Sequence, residues 1–322
     1  MINKDLHLSD KLFTDETEKA PTRNGLGEGL VIAGENDSNV VALCADLTES
    51  TRMDSFAEKF PERFFEVGVA EQNLVTVAAG LAATGKTAFA SSYAAFMPGR
   101  CWEQIRTTIA YNDQPVKLIG SHAGLQTGPD GATHQMLEDL ALMRVLPNMI
   151  VINPCDAIEA RKAIIAAAEI KSPVYIRLQR DKTVVMTTDK TPFVIGKAYQ
   201  FREGKDITII SSGAILYQAL IAAEELDADL INVPTIKPMD SETIMNSVRK
   251  TGKVLVVEEH QVAGGLGSAI AELVTEQHPV PVRRMGMYDS FGESGSPAEL
   301  YEHFRLTPKY IVEAGKELLG NS

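Results

Sequence analysis

Val116-Lys117-Leu118-Ile119-Gly120 runs without a break into Ser121-His122-Ala123-Gly124-Leu125-Gln126-Thr127-Gly128-Pro129-Asp130-Gly131-Ala132-Thr133-His134-Gln135. The first five residues read as a strand, and a near-continuous apolar strand bounded by turn residues points to a parallel sheet covered on both faces. In such sheets ligands bind beyond the carboxyl ends of the strands, which is where the polar stretch must lie. It holds two of the chain's six histidines with Asp130 between them. Three glycines in it allow backbone angles and close approaches that other residues resist. A strand-end loop of this composition is a functional-site candidate.

Working outward, the same pattern of short apolar strands and helical segments repeats. Val40–Cys44, Met149–Ile152 and Val174–Leu178 read as strands, and Asp156–Ile170 as a helix with Ile158, Ala160, Ile164 and Ala167 on one face. Thr187-Thr188-Asp189-Lys190-Thr191-Pro192 is a polar hinge. A second set follows, with strands at Ile207–Ile210, Asp229–Val233 and Val254–Glu258. The expected fold class is α/β, with two domains, each a mostly parallel sheet flanked by helices, spanning residues 1–190 and 191–322.

The chain has 322 residues and a net charge of −12, which argues against nucleic acid or an anionic membrane as the main partner. Cys44, Cys101 and Cys155 show no metal-ligand spacing and read as reduced thiols. Neither a signal-peptide pattern nor a long uncharged span is visible, so a cytoplasmic location without membrane association is expected. Gly264-Gly265-Leu266-Gly267 lacks full dinucleotide-binding spacing and reads as a tight turn before a helix at Ser268–Thr275. Gly25-Leu26-Gly27-Glu28-Gly29 has no strand-turn context for a nucleotide.

Glu71 is the awkward charge. It follows Gly68-Val69-Ala70 and precedes the small, apolar run Val75–Ala83, with no Lys or Arg between Arg63 and Lys86. A buried carboxylate needs a partner, which here must come from elsewhere in the chain or from another molecule. Tyr93 and Phe96 stand three residues apart, on one face if helical, and either pack in the core or form a flat wall for a heterocycle.

These residues together resemble the thiamine-diphosphate enzymes of the transketolase group. Gly68-Val69-Ala70-Glu71-Gln72 is similar to that family's pyrimidine-binding glutamate motif. Asp130-Gly131-Ala132-Thr133-His134-Gln135 is close to its Asp-Gly-Pro-Thr-His-Gln signature, and Asp46-Leu47-Thr48-Glu49-Ser50 to its Asp-Leu-Thr-Pro-Ser segment. The family's Gly-Asp-Gly diphosphate motif is missing. The chain therefore looks like the C-terminal half of a split transketolase, a pyrimidine-binding domain followed by the family's C-terminal domain.

The resemblance implies residue roles. Glu71 would hydrogen-bond the aminopyrimidine of thiamine diphosphate and control its tautomer, with Asp46, Leu47, Tyr93 and Phe96 lining the cofactor pocket. His134 would meet substrate oxygens and His122 would assist proton transfer. Asp130 would bind a sugar hydroxyl. Arg23, Ser50 and Arg180 fall at sugar-phosphate positions, where a guanidinium's planar fork suits phosphate. Two departures stand out: Gly99-Arg100 where a third aromatic is usual, and Asp181 after Arg180. The implied reaction is transfer of a two-carbon ketol (glycolaldehyde) unit between sugar phosphates, as in the pentose phosphate pathway.

An N-terminal, diphosphate-binding subunit would be the partner and would hold the divalent metal, Mg or Ca, in a heterotetramer of two copies of each chain. The alternatives are a specialised transketolase, a subunit like deoxyxylulose-phosphate synthase, and a non-catalytic partner-binding subunit. A 2-oxoacid dehydrogenase-like β subunit fits poorly, because of the Asp-Gly-x-Thr-His motif.

Overall fold

The computed structural model describes residues 1–320. The elements follow in chain order. β1 (Lys19–Pro21), α1 (Thr22–Asn36), β2 (Val40–Cys44), α2 (Asp54–Lys59), β3 (Phe64–Glu66), α3 (Glu71–Ala83) and β4 (Thr87–Tyr93) come first. The short α4 (Trp102–Gln104), β5 (Val116–Ser121), α5 (Asp139–Arg144), β6 (Ile150–Ile152), α6 (Ala157–Glu169), β7 (Val174–Arg177) and β8 (Lys182–Val184) complete the first half. Then come β9 (Tyr199–Arg202), β10 (Thr208–Ser211), α7 (Leu216–Glu225), β11 (Asp229–Asn232), β12 (Thr235–Lys237) and α8 (Ser241–Thr251). β13 (Val254–Gln261), α9 (Leu266–Gln277), β14 (Val282–Met287), α10 (Pro297–His303) and α11 (Pro308–Leu319) close the chain.

A seven-stranded sheet has the order β12-β6-β7-β5-β4-β2-β3, parallel except where β12 meets β6. A five-stranded sheet has the order β14-β13-β10-β11-β9, with only β9 antiparallel. Both are α/β sheets with helices on their faces, as the strand pattern requires. The central strands β2, β5 and β7 are buried throughout.

The apolar face of α6 is Ala160, Ala163, Ile164 and Ala167, and Ile158 is only half-buried. The face turns toward α1, and the glycines of α1 explain how close the two helices come. A Cβ at Gly25 would strike the Ala157 carbonyl, and one at Gly29 would lie 2.9 Å from the Arg161 carbonyl. Asp156 caps α6, accepting from the Glu159 amide at 2.8 Å. The same carboxylate accepts from the amides of Met186 (2.8 Å) and Thr187 (2.6 Å), which pins the polar hinge to the first sheet.

Segments cross the division expected at residue 190 in both directions. β12 adds an edge strand to the first sheet. Leu6 and Leu12 pack into the core of the second unit, and the Asn3 amide bonds the Phe201 carbonyl at 2.9 Å. One apolar cluster also joins residues of both sheets, from Val41 and Leu118 to Ile210 and Val256. No helix is long and apolar enough to cross a membrane among the described residues.

Candidate functional site

The parallel order places the carboxyl ends of β3, β2, β4, β5 and β7 side by side, and every site residue predicted from the sequence ends or follows one of them or begins α1 or α3. Asp46, Leu47 and Ser50 follow β2, and Glu71 begins α3 after β3. Tyr93 ends β4, His122 follows β5, and Arg180 follows β7.

Tyr93 and Phe96 do not share a helix. Tyr93 is the last strand residue, and the chain turns at once, with the amides of Phe96 and Met97 both bonding the Tyr93 carbonyl at 2.8 Å. The turn still brings the rings into a stack, with centroids 5.9 Å apart and planes 19° from parallel. Tyr93 stacks on His122 at 3.8 Å, and Phe96 meets the His134 ring edge-on at 5.3 Å. Two aromatic and two imidazole rings therefore form one wall.

Glu71 is 1% exposed, and its partner belongs to this chain. Arg100 Nη1 donates to Oε2 at 2.6 Å, while Ser92 Oγ reaches Oε1 at a long 3.4 Å. Arg100 stands about where a third aromatic was expected. Its guanidinium packs over Phe96, 4.8 Å from the ring centroid, and its side chain remains 50% exposed. Sequence spacing hid this pairing because the two residues meet across the turn after β4.

His122 is buried and neutral. Its Nε2 accepts from Arg23 Nη1 at 3.2 Å, so the ring proton sits on Nδ1, which donates to Ser121 Oγ at 2.9 Å. Burial first, then the charges of Arg23 and Arg180, pull its pKa down to about 3. As it stands in this chain, the ring accepts at Nε2 and donates from Nδ1, with both nitrogens engaged. His134 is half-buried. Its Nδ1 pairs with Thr133 Oγ1 at 2.9 Å, and its Nε2 has no hydrogen-bond partner among the described residues.

Arg23 also donates to the Ser50 carbonyl at 2.7 Å, so Ser50 enters through its backbone. Arg180 Nη1 donates to the Thr127 carbonyl at 2.8 Å and lies 3.9 Å from Asp130. These four residues are thus brought together around His122. Asp46 and Leu47 stand further along the edge, where Glu66 organises the turn by accepting from the Asp46 amide (2.6 Å), Thr48 Oγ1 (3.0 Å) and the Gly68 amide (3.0 Å). No hydrogen bond links Asp46 to the His122 cluster among the described residues.

The loop itself is held by the second unit. The Gln126 amide donates to Glu259 Oε1 at 2.9 Å, and Tyr301 to Glu259 Oε2 at 2.8 Å. Gln135 Nε2 donates to the Glu293 carbonyl at 2.8 Å. Beneath them Arg177 Nε bonds Asp139 at 2.9 Å and Arg177 Nη2 bonds the Glu259 carbonyl at 2.9 Å, with Tyr175 on Asp139 at 2.7 Å. Neither this network nor Glu66 carries a local sequence signal. The glycine cluster at 264–267 is a turn into α9, where the amides of Leu266 and Gly267 bond Glu258 at 2.7 and 2.9 Å. No group of three or more His, Cys, Asp or Glu is arranged for a metal among the described residues.

Comparison with known proteins bears on this arrangement. Residues 18–184 match the transketolase pyrimidine-binding domain and residues 196–311 the transketolase C-terminal domain. A protein of Methanocaldococcus jannaschii described as a transketolase C-terminal section is 43% identical over 299 residues, covering 90% of this chain and 94% of its own. A 6-deoxy-6-sulfo-D-fructose transketolase subunit of a Clostridium species is 43% identical over 289 residues, covering 88% and 90%. Among solved structures, a split-gene transketolase described as an inactive β4 tetramer superimposes with a TM-score of 0.87 at 45% identity. That match covers 93% of this chain and 98% of the other.

Proposed function

The chain belongs to the transketolase family, and we propose that it supplies the pyrimidine-side half of a split, thiamine-diphosphate-dependent transketolase. In this reading it works with a separate N-terminal subunit that binds the diphosphate and its divalent metal. The assembly contains two copies of each chain and moves a two-carbon ketol unit between sugar phosphates.

The observation that carries this reading is a water-excluded carboxylate beside a flat aromatic wall. Glu71 Oε1 has only a long contact to Ser92, so it retains acceptor capacity at the edge of the Tyr93–Phe96 stack. A planar aminopyrimidine fits such a place, with Glu71 as its hydrogen-bond partner and Phe96 and Tyr93 against its face. When bound, thiamine diphosphate supplies the carbon nucleophile and the electron sink, which no side chain here offers.

This chain's own groups do the rest. Glu71 holds the ring nitrogen in a dry pocket, where the hydrogen bond is strengthened. His134 Nε2 is available to the substrate's carbonyl or hydroxyl oxygen, and His122, fixed as the Nδ1–H tautomer, aligns Arg23. Asp130 stands at the mouth beside Arg180, where a sugar hydroxyl can donate to it. The loop bearing these groups is clamped through Gln126 and Gln135, which limits their displacement.

Co-expression with a candidate N-terminal half tests the proposal. Ketol transfer is expected only when both chains, thiamine diphosphate and magnesium are present. Transfer by this chain alone, or none from a well-formed complex supplied with sugar phosphates, would overturn it.

A further inference from the structure

Arg23 bonds His122, and Arg180 and Arg52 lie near enough for their charges to act on its ring, although the chain carries 43 acidic residues against 31 basic ones. Arg23 and Arg180 belong to the expected sugar-phosphate set, and Arg52 does not. Arg52 lies two residues beyond Ser50 in a left-handed backbone conformation (φ 66°), a strained position for an arginine. Its Nε donates to Asn24 Oδ1 at 3.2 Å, next to Arg23 in the first turn of α1. Neither terminal nitrogen of Arg52 has a hydrogen-bond partner among the described residues.

The cluster is short of negative charge. Neither Arg23 nor Arg52 forms a salt bridge among the described residues, and Arg23 Nε is buried without any partner. Besides the Thr127 carbonyl, Arg180 has one carboxylate within ion-pair distance, Asp130 at 3.9 Å. Glu28, which borders the same groove as Arg52, is paired with Arg161. Arg23's pKa is lowered by burial and then by the charges of Arg52 and Arg180, with Tyr93 and then Asp181 opposing them. Like charges assembled with unsatisfied donors form a site for an anion, and the number of charges bears on which anion.

We infer that Arg52 is the third guanidinium of the terminal-anion subsite and makes it selective for a dianionic phosphate over a monoanionic sulfonate. The inference rests on the proposed transketolase reading. Two guanidiniums, Arg23 and Arg180, suffice for a single negative charge, and Arg52 supplies the cation that the second charge of a phosphate monoester requires. A sulfonate has the same three oxygens but one charge, so it gains less from Arg52.

The assembled enzyme tests this with an aldose phosphate and the same aldose carrying a terminal sulfonate as acceptors. Wild type is expected to favour the phosphate in kcat/KM. Arg52→Gln should lower kcat/KM for the phosphate about tenfold, chiefly through KM, and for the sulfonate about threefold or less, with Arg52→Lys recovering part of the phosphate preference. An unchanged phosphate-to-sulfonate ratio in Arg52→Gln overturns the inference, whereas absence of ketol transfer by the wild-type assembly overturns the transketolase reading instead. The isolated chain gives an independent readout. Inorganic phosphate should raise its melting temperature more than methanesulfonate, and Arg52→Gln should erase the difference. Equal protection of wild type by both anions counts against Arg52.

Discussion

Glu71 and Glu259 are both sealed from solvent, at 1% and 2% exposure, yet they are held in opposite ways. Glu259 has both oxygens satisfied by groups that are themselves buried, the Gln126 amide and the Tyr301 hydroxyl, above the buried Arg177–Asp139 pair. Burial pushes its carboxyl pKa up, and Arg177, the Gln126 amide and Tyr301 pull the other way. Glu71 has one strong partner, a half-exposed arginine, and one long contact. A carboxylate locked on all sides ties elements together, whereas one with a replaceable partner can exchange it for a ligand. The contrast separates the clamp of this molecule from its site.

The strongest way to break that contrast is at the clamp. Arg177→Met leaves Asp139 buried without its cation, and urea unfolding should show a loss of about 3–5 kcal/mol. A loss well below that would mean that the interdomain network is as replaceable as Glu71's pairing. Glu71→Gln should do the reverse, lowering ketol transfer by the assembled enzyme about 100-fold or more (~2.7 kcal/mol in the barrier) with a much smaller change in unfolding. Near-normal turnover in that variant would remove Glu71 from the mechanism.

Tyr301→Phe deletes the hydrogen bond to Glu259 and the one accepted from Gln126 Nε2, and should cost about 1–3 kcal/mol of stability without touching a predicted site residue. A titration sharpens the comparison further, since each region holds one fully buried histidine. Burial is the first cause at both, taking His122 to about 3 and His260 to about 4. Both lie below the unfolded value of about 6.5, so the unfolded chain binds more protons on acidification. Their contribution is whole above pH 6.5 and is lost progressively as pH falls toward 4 and then 3. Glu159 and Glu258, raised to about 7 by burial, act oppositely as pH falls from about 7 to 4.5. The measurable quantity is therefore the gap between variant and wild type: His260→Asn should gain relative stability as pH drops from 6.5 to 4, and a pH-independent gap would refute the assignment.

The smallest effect is expected at Arg100→Ala. Arg100 is itself half-exposed and covers Glu71 from the solvent side, so its removal admits water to the carboxylate and should cost about 1 kcal/mol or less. A loss as large as that of Arg177→Met would place Glu71 in the clamp rather than the site.

Much of the fold was legible along the chain because strand and helix periodicities are local. Val116–Gly120 and Asp156–Ile170 announce themselves within a dozen residues, and a polar loop directly after a parallel strand has one place to lie. The candidate site was legible to the extent that its residues follow strand ends. Glu71, His122, His134, Tyr93 and Phe96 could be named from motif and position. The helical spacing expected for Tyr93 and Phe96 did not hold, because a three-residue interval is equally served by a tight turn.

Pairings depend on which strands become neighbours, and spacing is silent about that. Arg100 reaches Glu71 only because β4 is buried near the start of α3. Arg52 joins Arg23 only because the turn after β2 folds over the start of α1. Glu259 meets Gln126 only because the second sheet docks against the loop of the first. The sequence by itself determined the α/β class, the family and the position of the polar loop, since each is written in contiguous residues. Only the tertiary structure decided who neutralises Glu71, which tautomer His122 adopts and which residues Arg23 and Arg52 bond. Those are set by distances of a few ångströms between residues far apart in the chain, where low dielectric makes each charge count.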